Sequence, residues 1–122
     1  MRFSQESSSN ANVVRGYDRG LLRINERVLT HSVIVAPDAL REEPGLAGVA
    51  DLNAEHAARI LQFAPELVLL GTGTRQIFPA AGFGAGFLES GIGFEVMDTG
   101  AACRTFNVLV GEHRRVVALL IV

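Results

Sequence analysis

"PELVLLGTG" spans residues 65–73. Its apolar run, Leu67 to Leu70, leaves no wet face, which is the pattern of a strand buried on both sides of a sheet. The same pattern then predicts its neighbours. Upstream, Ala57, Ile60, Leu61 and Ala64 recur at i, i+3, i+4 and i+7, which predicts a helix with Asn53 as N-cap and Pro65 as its stop. Glu55 and Arg59 would pair on its wet side, leaving His56 and, near the C-terminus, His113 as ordinary surface residues. Downstream, "FEVMD" (94–98) and "RVVALLIV" (115–122) read as strands. "PAAGFGAGFLESG" (79–91) and "TGAACRTFNVLVG" (99–111) have helical length, each closing on a glycine suited to the C′ position, Gly91 and Gly111. Strand, helix, strand, helix and strand in succession require crossovers and hence a largely parallel sheet. We expect 66–70, 94–98 and 116–121 to be neighbours in one sheet, the first two parallel and 94–98 buried.

The N-terminal half reads differently. "GLLRIN" (20–25) and "RVLTHSVIVAP" (27–37) favour β structure on either side of Asn25-Glu26, which predicts a hairpin ended by Pro37. "DALREEPGLAGVA" (38–50) reads as a loop, and residues 1–12, rich in Ser and Asn, as a flexible tail ahead of one α/β domain over 13–122. A length of 122 residues suits a single core.

Composition removes several functions. Hydrophobic residues make up 48% and charged ones 20%, so the chain is globular rather than disordered. A net charge of −2 offers nothing to a nucleic-acid backbone. All 11 basic residues are Arg, so no lysine can form a Schiff base or cradle a phosphate. The longest apolar run, Val116–Val122, is too short to span a bilayer, and the N-terminus lacks an apolar signal region. One cysteine allows neither an internal disulfide nor a multi-cysteine metal site. The three histidines share no ligand spacing, so we expect no metal and no cofactor, in a reducing bacterial cytoplasm.

Two stretches carry candidate chemistry. Gly71, Thr72, Gly73, Thr74, Arg75 and Gln76 follow the buried strand and lead into a helix, the place where doubly wound folds bind ligands. The loop completes no phosphate motif, and Gln76 stands where a dinucleotide fingerprint needs its third glycine. The small residues there more often let strand and helix pack closely, and we expect that reading, with Gly71 or Gly73 at positive φ or in close approach and Arg75 pairing with an acid of the protein. In "MDTGAACRTFN", Asp98 and Thr99 can cap a helix with Cys103 one turn inside and Arg104 beside it. A lone cysteine between Ala102 and Phe106 is more often a small buried hydrophobe, and we expect a buried, unmodified thiol, a reactive one being the alternative. Parallel neighbours would bring both stretches to one sheet edge. In 80–90, Gly82, Gly84 and Gly86 weaken a helix whose Phe83 and Phe87 either dock on the sheet or form a partner patch.

"PELVLLGTG", "GIGFEVMDTGAACRTFNVLVGEHRRVVALL", "IN" and "SVIVAP" together resemble a family of small domains of unknown function. That family is typified by a methanogen structural-genomics protein and includes a mitochondrial respiratory complex I assembly factor. The likeness runs from about Gly20 to the C-terminus. It implies a three-layer α/β sandwich with a central mixed, mostly parallel sheet and an added N-terminal β-hairpin. One strand is reversed, and we expect it to be the last. The resemblance further implies a non-catalytic binding or assembly protein with protein partners, at the inner membrane; we expect a monomer or small homo-oligomer. The competing reading is a small-molecule or anion-binding protein, even an enzyme, using Gly71–Gln76 with Asp98–Arg104.

Overall fold

The computed structural model describes residues 10–122, so most of the expected tail lies outside the described residues. Asn12 is already tied down, its side chain donating to the carbonyls of Ala36 (2.8 Å) and Ala39 (3.1 Å). Strands β1 (Val14–Asp18), β2 (Leu21–Ile24) and β3 (Arg27–Leu29) form an antiparallel sheet in that order. Strands β4 (Ser32–Ala36), β5 (Ala39–Glu43), β6 (Leu67–Gly71), β7 (Gly93–Met97) and β8 (Val116–Leu120) form the main sheet, ordered β5-β4-β8-β6-β7. Helices α1 (Ala54–Leu61), α2 (Ala81–Glu89) and α3 (Thr99–Gly111) pack on it.

Three layers result. One face of the main sheet, with Ile34, Val68 and Leu70, meets Ile60 of α1 and Phe87 of α2. The other, with Val35, Leu69 and Ala118, meets Cys103 and Phe106 of α3 and Leu22 and Ile24 of the small sheet. Strand β6 sits between β8 and β7, parallel to both. Its four apolar residues are explained by that position: neighbours on both sides and helices on both faces leave nowhere to put a polar side chain.

Several expectations need correction. Strand β8 is parallel to β6, because α3 carries the chain back over the sheet as a crossover. The reversed strand is β4, antiparallel to β8. Strand β7 is only half-buried, since it forms the edge of the sheet. The segment 27–37 divides at Thr30-His31: β3 stays with β2 in a hairpin turning at Asn25-Glu26, while β4 leaves for the main sheet. Only Asn25 of that turn takes a positive φ, 52°. The hairpin is widened to a three-stranded sheet by β1, which has no clear strand pattern in sequence. The expected loop at 38–50 contains β5, an edge strand on which Arg41 is exposed and Glu42 half-buried, so its charges hid it. Gly91 does end α2 at φ 78°, but Gly111 is still helical and His113 takes the left-handed turn at φ 63°. Helix α1 turns His56 inward rather than Leu61 or Ala64. His56 Nδ1 accepts the backbone N–H of Asn53 (3.1 Å) and closes the N-cap, while its Nε2 faces the buried Glu43 at 4.0 Å. The same carboxylate takes two bonds from Arg59, at 2.8 and 2.9 Å, so Arg59 serves Glu43 before Glu55.

Candidate functional site

The two candidate stretches meet at the edge where β6, β7 and β8 end. Gly71 is the last residue of β6 and lies against the start of α3. A Cβ on it would stand 3.0 Å from the Thr99 Cα and Oγ1 and 3.1 Å from the Ala102 Cβ. Gly73 follows at φ 98°, in the region that favours glycine. Thr99 is fully buried and links three segments. Its hydroxyl donates to the Ile121 carbonyl (2.6 Å) and accepts the Gly73 N–H (2.7 Å), while its own N–H reaches the Gly73 carbonyl (2.8 Å). The Thr72 hydroxyl donates to the Arg75 carbonyl and accepts the Ile77 N–H at 3.1 Å, closing the loop on itself. Gln76 donates to the Val96 carbonyl at 3.0 Å, and Asp98 caps α3 by accepting from the Ala101 N–H at 2.9 Å. The polar groups of this loop are thus largely spent on one another.

The charged members of the expected set stay apart from it. Thr74 and Arg75 are exposed, and no acid pairs with Arg75 among the described residues, so the internal pairing expected for it is not formed. Arg104 is exposed on α3, whereas Cys103 points into the core. Burial, opposed by Arg104 and aided by Asp98, pushes the Cys103 thiol up to about 12. A thiol so held is protonated at neutral pH and a poor nucleophile.

Beside the loop lies a cleft of about 220 Å³, lined by Thr72, Gly73 and Thr74, by Gly48, and by Tyr17 and Arg19 of the small sheet's first hairpin. No sequence pattern linked Tyr17 or Arg19 to this edge, because they arrive from the far end of the chain. The Tyr17 hydroxyl is buried without a partner among the described residues, and burial, followed by the nearby Cys103, raises its pKa. No group of His, Cys, Asp and Glu that could hold a metal exists among the described residues.

A second feature lies across β7. Phe78 is 71% exposed and Leu88 62%, with Ile77 also in solvent. Phe78 and Leu88 border a groove of about 360 Å³ between α2 and β7, floored by Gly84, Phe94 and Val96, whereas Ile77 lines the cleft beside Gly73. A second groove, about 340 Å³, runs between α1 and α2 past Leu61, Ala57, Gly82, Gly86 and Phe83. Phe83, Phe87 and Phe94 pack as a ring cluster with centroids 5.5–5.9 Å apart, so of the two alternatives for Phe83 and Phe87 it is docking that is formed. They dock on the sheet, and a partly exposed patch surrounds them.

The model of a protein family of unknown function, DUF498/DUF598, matches residues 14–121. The chain belongs to that family. A Danio rerio relative named NADH dehydrogenase (ubiquinone) 1 alpha subcomplex assembly factor 3 is 30% identical over 96% of this chain and 68% of its own length. A 13 kDa major membrane protein of Francisella tularensis is 29% identical over 99% of this chain and all of its own length. Among solved structures, a Xanthomonas campestris protein superposes with TM-score 0.83 at 38% identity, covering all of this chain and 92% of that one. A Mth938-like domain from Bordetella pertussis gives TM-score 0.79 at 30% identity, over 90% and 85% of the two chains. The DUF498/DUF598 fold is therefore the three-layer α/β arrangement described above. No helix among the described residues of this family member is long and apolar enough to cross a membrane.

Proposed function

We propose that this domain is a non-catalytic, assembly-factor-like protein that binds other proteins through the apolar flank of α2. The observation that carries the proposal is the exposure of Phe78 and Leu88 around a groove floored by Phe94 and Val96. Large apolar side chains gathered around a groove mark contact sites more often than single exposed ones do. The relatives direct the choice of partner: one is named for assembling a respiratory complex and another as a membrane protein. A subunit of an inner-membrane complex is the partner class that suits both names. The net charge of −2 argues against nucleic acid as the alternative.

A photo-crosslinking residue placed at Phe78 or Leu88 in cells tests this. The expected result is one discrete adduct with a membrane-complex subunit from either position, and none from Glu112 on the opposite layer. Absence of adducts at both positions, with the protein folded, removes the proposal. A second reading is an anion site using Gly71–Gln76 and Asp98–Arg104; what supports it is the cleft beside Gly73, lined by Arg19 together with Thr72, Gly73 and Thr74. Phosphate titration followed by amide shifts at Thr72–Thr74 decides it: saturable shifts lost in Arg19→Ala favour it, and none at millimolar phosphate exclude it.

A further inference from the structure

Resting on the protein-binding reading, we propose that β7 receives its partner as an added strand: an extended segment alternating apolar and polar residues, with Lys or Arg opposite Glu95. The pairing of β7 with β6 determines which backbone groups remain free. Gly93 donates to the Glu66 carbonyl at 3.2 Å, and Met97 accepts from the Thr72 N–H at 3.0 Å, so the groups of 93, 95 and 97 turn toward β6. Those of Phe94 and Val96 turn outward. Among the described residues their one partner is the Gln76 side chain, which occupies the Val96 carbonyl at 3.0 Å as a strand's N–H would.

An open backbone edge asks for main-chain partners, which distinguishes it from a groove that any apolar body could fill. The side chains on either side then define the added strand. Phe94 and Val96 face α2 and floor the 360 Å³ groove, so residues opposite them should be apolar. Glu95 points to the other face, exposed, and pairs with no cation among the described residues. A cation directly across from it is the favourable cross-strand neighbour. The same carboxylate argues against a second copy of this chain. In a two-fold pairing that joins Phe94 to Val96 in both directions, Glu95 would face its own equivalent. The opposite edge of the sheet is unsuitable, since β5 carries Arg41, Glu42 and Glu43, with Arg27 held across to Glu42 at 3.2 Å.

The probe is a capped peptide, acetyl-Thr-Val-Lys-Val-Thr-amide, titrated into the 15N-labelled full chain. We expect saturable shifts and slowed hydrogen exchange at the Phe94 and Val96 amides, displacement of the Gln76 side-chain resonance, and weaker binding when Glu replaces the peptide Lys. Val96→Pro deletes one outward N–H and none that bonds β6, so it should abolish binding while leaving the remaining spectrum folded. Glu95→Arg, an exposed change that keeps the fold, should weaken binding of the Lys peptide by about three- to tenfold and restore the Glu peptide. Shifts at Phe78 and Leu88 without protection at Phe94 and Val96 would overturn strand addition and leave the protein-binding reading standing. No shifts anywhere on this flank, together with no adducts from Phe78 or Leu88, would overturn both. A dimer in sedimentation that Val96→Pro dissociates would overturn the partner segment in favour of a second copy.

Discussion

Helices α2 and α3 cover opposite faces of one sheet, each in a crossover from one parallel strand to another, yet they are built on different terms. Helix α3 is capped by Asp98, buries Thr99, Ala102, Cys103 and Phe106, and is bound to β1 through Asn107. The Asn107 side chain accepts the Val14 N–H at 2.9 Å and donates to its carbonyl at 2.8 Å. Helix α2 has no side-chain cap and three interior glycines, and it buries only Gly84 and Phe87. Gly84 is there because the helix sits on Phe94, where a Cβ would meet the ring at 2.6 Å, whereas Gly82 and Gly86 face open space. Two of the three glycines therefore lower helix stability without a packing reason inside the described residues. The difference separates a layer that holds the fold together from a layer kept thin and apolar at the surface.

Phe106→Ala attacks the strong side of this contrast and should have the largest effect. Removing a fully buried ring from between sheet and helix costs about 3–5 kcal/mol, read as a lower urea midpoint. A loss below about 1 kcal/mol would mean that α3 is no better anchored than α2. The pH response comes next. Burial raises the Cys103 thiol from 9.0 to about 12 in the folded protein. Its contribution to stability is whole below the unfolded value near 9 and is lost as pH climbs toward about 12, because the unfolded chain can ionise where the folded one cannot. Melting curves across that range should fall more steeply for wild type than for Cys103→Ala, which stays folded at neutral pH. Equal slopes, or rapid thiol labelling of the native protein near pH 7, would show that the core opens at α3.

On the weak side, the glycines should divide. Gly84→Ala forces a methyl into the Phe94 ring and should destabilise by about 1–3 kcal/mol. Gly82→Ala and Gly86→Ala, with nothing within 4 Å of a new Cβ, should each stabilise by about 0.4–1 kcal/mol. Destabilisation at all three would mean that α2 needs its glycines for conformation rather than for clearance. The smallest effect belongs to Phe78→Ser and Leu88→Ser, which should leave the melting temperature nearly unchanged, within about 0.5 kcal/mol, while Phe78→Ser weakens the crosslink from position 88 and Leu88→Ser the one from position 78. A large loss of stability there would reassign the patch to the core.

The parts legible in advance are those whose signal is local. Leu67–Leu70, the capped segment at Asn53 and the run from Asp98 to Gly111 each carry their own periodicity or cap. The close approach of Gly71 to Thr99 followed from two parallel strands ending together. Strand β5 was illegible because Arg41, Glu42 and Glu43 lie on an edge, where charge is tolerated and the apolar pattern disappears. His56 was misplaced because its polarity masked an inward role: Asn53 occupies one ring nitrogen, and Glu43 stands beside the other.

By itself, the sequence determined that this chain makes an α/β domain with parallel β6 and β7, a pair of loops at one sheet edge and a cysteine packed as a hydrophobe. Each of those follows from spacing or from a short connection. Only the tertiary structure decided that β7 lies at the edge, that β4 and not β8 is reversed, and that Tyr17 and Arg19 reach the Gly73 loop. Strand order and the meeting of distant residues are set by which surfaces exclude water together, a property of pairs far apart along the chain that no local pattern records.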